Sequence, residues 1–378
     1  MTTDMQLDMF SVPNNVLALP TNYTPTPPDH FPVERIILTK GSVSTSERAE
    51  FVRRVCDVYP GVPVEEMLDI PHNRVDLGEK DPARLQEKGK RTLVFGELGV
   101  ANAVQCNESE HLCCPYRWFF SVYGHCPYGC RYCYLSATPG VWFSPTVKIY
   151  VNLPEILCEM QRHVRCLEEP SVFYLGKFQD GLALDSLTAY STVLVPFFAK
   201  QKHARLNIQT KSVSVERLLN LEHEGNTTLI WTLNPPEIAR LYEINAPAVT
   251  ERLDAMARCA ERAYPVWSII EPVIPHGNWE EMYTDLVSDL LQRMPVQRLA
   301  LGGISLCDRS LSLLEKRMGE RNVISCSLLR SRESETMYYR PGIFDGLFRR
   351  ILDIAKEIGA YRSERERDIL VIEFDQEQ

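Results

Sequence analysis

Three cysteines close together are the residues of this chain best suited to chemistry. Cys126, Cys130 and Cys133 have the spacing C-x3-C-x2-C. Each thiolate can hold one iron of a 4Fe-4S cluster, whose irons are normally each bound by cysteine, so three ligands leave one iron open to a small molecule. A zinc knuckle and unrelated thiols are the alternatives. Zinc sites usually pair two C-x2-C or Cys/His halves, and here there is no second C-x2-C and His125 directly adjoins Cys126.

The cysteine spacing resembles the signature of the radical S-adenosylmethionine superfamily. The resemblance implies that the open iron chelates the methionine end of S-adenosylmethionine, and that reductive cleavage gives a 5′-deoxyadenosyl radical that abstracts hydrogen. Radical chemistry of this kind belongs to the cofactor rather than to side chains. An electron donor such as flavodoxin or ferredoxin is then expected as a partner.

Further segments resemble the spore photoproduct lyase family, whose members revert a thymine dimer in DNA. The resemblance implies a DNA repair enzyme that acts on a damaged base, with DNA as its partner. Such an enzyme needs the target nucleotide extruded from the duplex or already unpaired. The segments that carry the resemblance are residues 130–135, 147–157, 252–255, 264–265 and 272–281.

Four polar residues follow successive strands of the predicted core. The resemblance implies that Lys211, Thr232 and Asn234 lie near S-adenosylmethionine, and that Asp180 faces its carboxylate, amine or ribose. A zwitterionic nucleoside needs such an ammonium, hydroxyl, amide and carboxylate for its orientation. Each residue alone is as readily explained as a surface cap or turn residue. Their shared place at strand ends favours cofactor binding.

One position departs from the family pattern. Where the family has a cysteine that donates a hydrogen atom to the product thymine radical, this chain has Lys177. An ammonium cannot donate a hydrogen atom as a thiol does, so either another group is the donor or the reaction is not dimer reversal. Lys177 could instead pair with a phosphate or a carboxylate as a point charge. The other thiols that could replace the donor are Cys113, Cys114, Cys307 and Cys326.

Two tyrosines in the cysteine loop are further candidates for catalysis. Tyr132 and Tyr134 match family tyrosines associated with radical relay. A phenol can carry a hydrogen atom, although most tyrosines beside a metal loop pack and hydrogen-bond. With Lys177 they form the predicted catalytic set.

The elements that must position these residues follow a strand–helix alternation from residue 117 onward. Six apolar runs separated by amphipathic segments predict a parallel sheet with helices outside it. The predicted helices are residues 153–164, 184–198, 215–221, 248–262, 279–291 and 311–318. We predict an α/β protein with a partial (β/α)6 TIM-like barrel of the radical S-adenosylmethionine type and a small N-terminal α/β lead-in domain. In such barrels the site lies at the carboxyl ends of the strands. The predicted strands are residues 118–122, 172–178, 206–209, 229–233, 266–273 and 296–301.

The chain divides into four predicted parts. Residues 1–30 are a flexible tail, 31–110 the lead-in domain, 111–320 the core, and 321–378 a C-terminal segment that closes the barrel. The tail contains a pentapeptide, QLDMF, that resembles the bacterial sliding-clamp-binding motif. A disordered segment can present such anchors at modest affinity. Its residues are Gln6, Leu7, Asp8, Met9 and Phe10.

Composition excludes some function classes. The sequence has no apolar run of membrane-spanning length and no signal sequence, so we expect a cytoplasmic enzyme without a membrane partner. The net charge of −9 argues against a broadly basic nucleic-acid surface, but it leaves room for a local basic groove. Arginines that could line one are Arg330, Arg332, Arg340, Arg349 and Arg350.

The remaining cysteines predict no second cluster. Twelve cysteines without a secretory signal indicate metal ligands and buried thiols rather than disulfides. Cys106, Cys113 and Cys114 do not form a recognisable ligand pattern. Cys158 and Cys166 share one face of a predicted helix, which predicts core packing.

Three function classes remain open on the sequence alone. The first is the DNA-acting radical enzyme. The second keeps the radical chemistry but takes a free nucleotide, a small metabolite or a peptide, as the acidic charge and Lys177 would allow. The third is a non-catalytic iron–sulfur protein that binds the clamp.

Overall fold

The computed structural model describes residues 18–106, 118–294, 296, 298–330, 336–340, 342–360 and 370–373. The predictions about the QLDMF pentapeptide, Cys113 and Cys114 lie outside these residues. Among the helices within them, none is both long enough and apolar enough to cross a bilayer.

The strands are β1 (Arg35–Thr39), β2 (Val64–Met67), β3 (Thr92–Gly96), β4 (Val104–Cys106), β5 (Trp118–Phe120), β6 (Tyr123–Gly124), β7 (Gly129–Cys130), β8 (Val147–Tyr150), β9 (Ser171–Leu175), β10 (Ala204–Thr210), β11 (Thr227–Leu233), β12 (Glu243–Ile244), β13 (Val266–Ile270), β14 (Arg298–Leu301), β15 (Ser305–Cys307), β16 (Leu328–Arg330), β17 (Thr336–Tyr339) and β18 (Leu370–Glu373).

The α-helices are α1 (Ser46–Cys56), α2 (Pro82–Gly89), α3 (Pro139–Phe143), α4 (Leu153–Arg165), α5 (Asp185–Thr188), α6 (Ser191–Ala199), α7 (Pro236–Tyr242), α8 (Val249–Glu261), α9 (Trp279–Arg293), α10 (Asp308–Met318) and α11 (Ile343–Ala360).

The core is one sheet in which chain order and spatial order agree. Strands β5, β9, β10, β11, β13 and β14 pair in that sequence, each parallel to the next. Strand β18 adds a parallel edge beside β14, and β4 adds an antiparallel edge beside β5. The edges β4 and β18 stand at opposite ends of the strand order, so the described sheet is an open, partial barrel. The prediction of six parallel strands is confirmed.

Alternating side chains give the core sheet two different faces. One face packs into the large apolar core of the protein. On the other face, residues from five neighbouring strands form a small separate cluster of their own. Because successive side chains of a strand point to opposite faces, the short apolar runs suffice to supply both layers. The five clustered residues are Phe119, Tyr174, Ile230, Ile269 and Ala300.

A second sheet lies in the lead-in part of the chain. Its order is β2, β1, β3, β8 and β6, and β6 is the antiparallel member. Strands β6 and β8 come from beyond residue 110, on either side of the cysteine loop. This sheet therefore reaches into the segment that the sequence assigns to the core, and the predicted domain division stays a prediction.

Local details of the helix prediction were wrong in two places. Residues 215–221 were predicted as a helix, but the structure has only a 3-10 turn at Leu218–Asn220. Seven residues are too few to form a stable helix without tertiary packing along their length. The predicted helix 184–198 is split into α5 and α6 at Ala189, whose left-handed backbone (φ 53°) ends α5.

Helix α2 lies in the charged stretch of residues 78–91, for which the sequence analysis predicted no helix. Its start has a clear local signal, because the Asp81 side chain accepts hydrogen bonds from the backbone N–H groups of Ala83 and Arg84, and Pro82 is the first helical residue.

The prediction that Cys158 and Cys166 pack in the core is also wrong. Both are exposed. Their spacing does keep them near one face of α4, but that face is turned to solvent, while the buried face of α4 carries apolar residues such as Ile156, Leu157 and Met160.

Candidate active site

A cavity of about 430 Å³ lies at the carboxyl ends of the core strands. Of the ten predicted site residues, all but Asn234 line it. The cavity thus joins the cysteine loop after β6 to the residues that follow β9, β10 and β13. This is the edge at which parallel α/β barrels place their sites.

The cysteine loop is held from one side by a short strand pair. Strand β7 pairs antiparallel with β12, with Cys130 opposite Glu243. The next backbone N–H, of Arg131, donates to the carbonyl of Tyr242 at 2.8 Å. The loop is thereby joined to the segment between α7 and α8 rather than left as a free turn.

The three loop thiols are partly buried and face the cavity. Burial raises the pKa of Cys130 to about 11, and it raises the pKa of Cys126 further. Cys126 and Cys130 are therefore protonated at neutral pH unless a metal takes the place of their protons, as is usual for cysteine metal sites.

The arrangement of donors distinguishes a cluster from a single ion. Within the described ranges, no three His, Cys, Asp or Glu residues are placed to hold one metal ion together. A 4Fe-4S cluster needs a different arrangement, in which the thiolates do not converge on one ion, because each thiolate binds its own iron. Three sulfur donors around one cavity fit the cluster.

Asp180 organises the floor of the cavity through four hydrogen bonds. Its Oδ1 accepts from the Thr210 hydroxyl at 2.6 Å and from two backbone N–H groups of the following turn. Its Oδ2 accepts from the backbone N–H of Lys211 at 2.7 Å. Asp180 therefore ties the loop after β9 to the end of β10, and Oδ2 is the oxygen with more capacity left for a ligand.

Lys211 and Thr232 present polar groups to the same space. The Lys211 ammonium lies 5.8 Å from the centre of the Tyr132 ring. Burial alone would lower the pKa of Lys211, but nearby negative charges, Glu243 foremost, together outweigh it and the pKa is raised, so the side chain is a cation. Thr232 accepts a hydrogen bond from Gln209 Nε2 at 2.9 Å.

Asn234 lies behind the cavity rather than in it. Its side chain is fully buried and bonded on both sides. Its Nδ2 donates to Glu243 at 3.2 Å, and its Oδ1 accepts from the Tyr283 hydroxyl at 2.9 Å. The structure thus shows Asn234 supporting a neighbouring carboxylate, and direct contact with a cofactor stays a prediction.

A buried ion pair behind the cysteine loop was missed by the sequence analysis. Glu243 and Arg252 are both almost completely buried and 2.6 Å apart. The Tyr132 hydroxyl also donates to Glu243. Burial alone would raise the pKa of Glu243, but Arg252 and Lys211 hold it below its ordinary value. Arg252 lies in one of the matching segments, whereas nothing local marks Glu243.

Lys177 and Tyr134 meet at the end of β9. The Lys177 ammonium lies 4.0 Å from the centre of the Phe119 ring, and the Tyr134 hydroxyl donates to the Lys177 carbonyl at 2.7 Å. Burial raises the pKa of Tyr134, so its phenol is protonated. No carboxylate in the described part of the chain forms an ion pair with Lys177. Its charge is available to a ligand.

The two predicted substitute thiols that the structure describes do not reach this position. Neither Cys307, at the start of α10, nor the exposed Cys326 lines the cavity. The cysteines of the loop are the described thiols that do.

A protein-family model described as spore photoproduct lyase matches residues 49–321, more than half of the chain. Spore photoproduct lyase of Clostridium acetobutylicum is 25% identical over 227 residues, which cover 60% of this chain and 65% of that protein. The chain therefore spans just under two thirds of that relative. Spore photoproduct lyase of Bacillus subtilis is 26% identical over 241 residues, covering 63% of this chain and 68% of that protein.

Solved structures give the same result for the fold. A spore photoproduct lyase complexed with dinucleoside spore photoproduct superposes with a TM-score of 0.74 at 22% identity, covering 87% of this chain and 96% of that one. A double mutant with bound S-adenosylmethionine and dinucleoside spore photoproduct has the same score and identity. This likeness shows the fold and confirms the predicted partial barrel.

We expect Arg252→Met to lower the free energy of unfolding by about 3 kcal/mol, because it leaves the Glu243 carboxylate buried without its main partner. Urea unfolding at neutral pH measures this. The matched control is Arg258→Met, which removes an exposed ion pair with Glu216 and should cost less than about 1 kcal/mol. Equal losses in both variants would contradict the importance of the buried pair.

The same ion pair predicts an acid dependence. The pKa of folded Glu243 is below its ordinary 4.5, so its contribution to stability is complete above that pH and is lost as pH falls through the folded pKa. The Glu243→Gln variant should lack this acid-dependent loss of stability. The free energy of unfolding, measured in urea at a series of pH values from 7 into the acid range, tests this.

Proposed function

The chain belongs to the spore photoproduct lyase family, and on that premise we propose that it is a radical S-adenosylmethionine enzyme that acts on a damaged base in DNA. The observation that carries the proposal is the single cavity shared by three cysteines and the polar residues at the strand ends. The DNA substrate is supported by the related structures, which hold a dinucleoside photoproduct.

We propose that Cys126, Cys130 and Cys133 hold a 4Fe-4S cluster. With S-adenosylmethionine bound to it, the cluster would supply a 5′-deoxyadenosyl radical for hydrogen abstraction. A small reduced electron carrier such as a flavodoxin or ferredoxin would deliver the electron. The protein contributes binding, orientation and exclusion of water.

Polar groups around the cavity suit the cofactor. The Lys211 ammonium matches a carboxylate, the Thr232 hydroxyl can both donate and accept, and Asp180 Oδ2 can accept from an amine or a ribose hydroxyl. Asn234 acts indirectly, by fixing Glu243 behind the loop. Several orienting groups in a concave site are what a ligand with both charged and sugar parts requires.

The substrate side of the cavity combines aromatic rings with a cation. Phe119 and Tyr174 belong to the apolar cluster on the inner face of the sheet and line the cavity. Aromatic side chains provide surfaces on which bases stack, and the Lys177 ammonium can meet a backbone phosphate. A cavity of about 430 Å³ has no room for a duplex. The target base would therefore enter as an extruded nucleotide.

Tyr134 is the group best placed to return a hydrogen atom in the absence of the family thiol. Its hydroxyl contacts the backbone of Lys177, the position at which the family has its donor. In this step the phenolic O–H bond breaks, a C–H bond forms on the substrate radical, and a phenoxyl radical remains on Tyr134. One electron from the reduced carrier and a proton would then restore the phenol, with Tyr132 as the second member of the relay.

The reaction is tested by incubating anaerobic, reduced protein with S-adenosylmethionine and DNA that carries a thymine photoproduct. We expect loss of the lesion and DNA-dependent release of 5′-deoxyadenosine, and Cys130→Ala should abolish both because one iron loses its ligand. Release of 5′-deoxyadenosine that depends on an added small molecule and not on DNA would instead support a metabolite substrate. Wild-type protein that holds zinc and no iron would refute the proposal.

The role of Lys177 is tested by the salt dependence of DNA binding. Lys177→Met removes one phosphate contact, so it should weaken DNA binding. It should also reduce by about 1 the slope of the logarithm of the DNA association constant against the logarithm of the salt concentration. The control is Lys202→Met, an exposed lysine just before β10, at the opposite end of the strands. A slope that Lys177→Met leaves unchanged would exclude a phosphate contact.

We also propose that the QLDMF pentapeptide binds a bacterial sliding clamp and so brings the enzyme to DNA. Loss of an aromatic anchor at a hot spot costs at least about 2 kcal/mol, so Phe10→Ala should lower clamp affinity by that amount in calorimetric titration. Cys130→Ala should bind the clamp as wild type does. Equal binding by Phe10→Ala would remove the pentapeptide from the proposal.

A further inference from the structure

Lys90 is a buried lysine that directly contacts the cysteine loop. It caps the C-terminal end of α2, is 9% exposed, and donates through Nζ to the backbone carbonyl of Cys126. Neither the family resemblance nor the predicted site includes it.

The end of α2 is packed tightly against the chain around this loop. A Cβ at Gly89 would lie 2.5 Å from the carbonyl oxygen of Pro145, so only glycine permits the observed approach. One turn earlier, Gln86 Nε2 donates to the Ser136 carbonyl at 3.1 Å. These contacts fix the backbone from which Lys90 reaches Cys126.

The charge of Lys90 has no carboxylate partner in the described residues. Burial lowers the pKa of Lys90 and Arg317 lowers it further, while Lys90 in turn adds to the lowering by burial of the pKa of His125 and Lys148. An unpaired buried charge is strongly unfavourable. The groups whose negative charge would favour the Lys90 ammonium are Cys126, Cys130 and Cys133 as thiolates.

We propose that Lys90 is the internal counter-charge of the iron–sulfur site and eases its one-electron reduction. This inference rests on the proposed function. A 4Fe-4S cluster held by three thiolates is negatively charged, and the electron taken from the carrier adds one more negative charge. Local charge and hydrogen bonding are among the factors that set the potential of such clusters. Lys90 therefore acts on the cluster by placing a positive charge beside the cysteine loop. It does not touch the substrate.

Lys148 provides a matched control in the same region. It is also buried, at 4% exposed, and its Nζ donates to the carbonyls of Ser144 and Thr146 at 2.8 Å each. No cysteine is among the groups that act on its charge. Removing the Lys148 amino group tests the effect of losing a buried lysine as such.

The experiment compares Lys90→Gln, Lys90→Arg and Lys148→Gln. Glutamine keeps an N–H donor for the Cys126 carbonyl but removes the charge, whereas arginine keeps the charge. Anaerobic redox titration followed by electron paramagnetic resonance gives the midpoint potential, with iron and sulfide measured per chain. At a fixed potential, Lys90→Gln should have a reduced-to-oxidised cluster ratio about tenfold lower, equivalent to a potential about 59 mV more negative for a one-electron couple.

In the same titration Lys90→Arg and Lys148→Gln should remain near the wild-type potential. An unchanged potential in iron-loaded Lys90→Gln would overturn the inference, as would an equal shift in Lys148→Gln. If Lys90→Gln does not retain iron, the iron content of Lys90→Arg gives the answer. Iron retained by Lys90→Arg supports the role of the charge. Iron lost from Lys90→Arg means that Lys90 has a structural role and refutes the inference. Iron-free wild-type protein would defeat the proposed function itself, whereas iron-loaded wild type with an unshifted Lys90→Gln defeats only this inference.

Discussion

The pairing of β7 with β12 is the interaction on which the candidate site depends. It holds Cys130 opposite Glu243 and so joins the cysteine loop to the core. The Glu243 side chain then faces inward, where Arg252 neutralises it and Tyr132 and Asn234 donate to it. A buried carboxylate is tolerable only with such partners. One short strand pair thus fixes the loop backbone and supplies an anion behind the cavity.

The other side of the loop is held by a different part of the chain. Helix α2 packs its C-terminal end against Pro145, and Lys90 bonds to the Cys126 carbonyl. The loop therefore lies between an anion on the core side, already paired with Arg252, and a lysine on the lead-in side without a carboxylate partner in the described residues. The strands that flank the loop, β6 and β8, both belong to the lead-in sheet. The cysteines consequently sit at the junction of the two sheets.

The sequence was sufficient for the sheet and for most of the cavity. Short apolar runs bounded by turn residues mark strands, and their alternation with helices leaves few possible topologies. Since parallel strands end at one edge, residues such as Lys177, Lys211 and Thr232 were expected to converge, and they do. The prediction was wrong where the residue spacing carries no information about tertiary packing. The spacing of Cys158 and Cys166 predicted that they lie near one face at α4. It did not predict that this face is exposed, because spacing alone does not say which face meets the core.

The chain by itself determined the element order, the three-cysteine spacing and the edge of the sheet at which chemistry can occur, because all of these follow from residues near one another in sequence. Tertiary structure alone decided which charges surround the loop. Glu243 is 113 positions from Cys130, and Lys90 is 36 positions from Cys126. Pairings at that separation depend on how two sheets pack, and no local pattern of residue types encodes them.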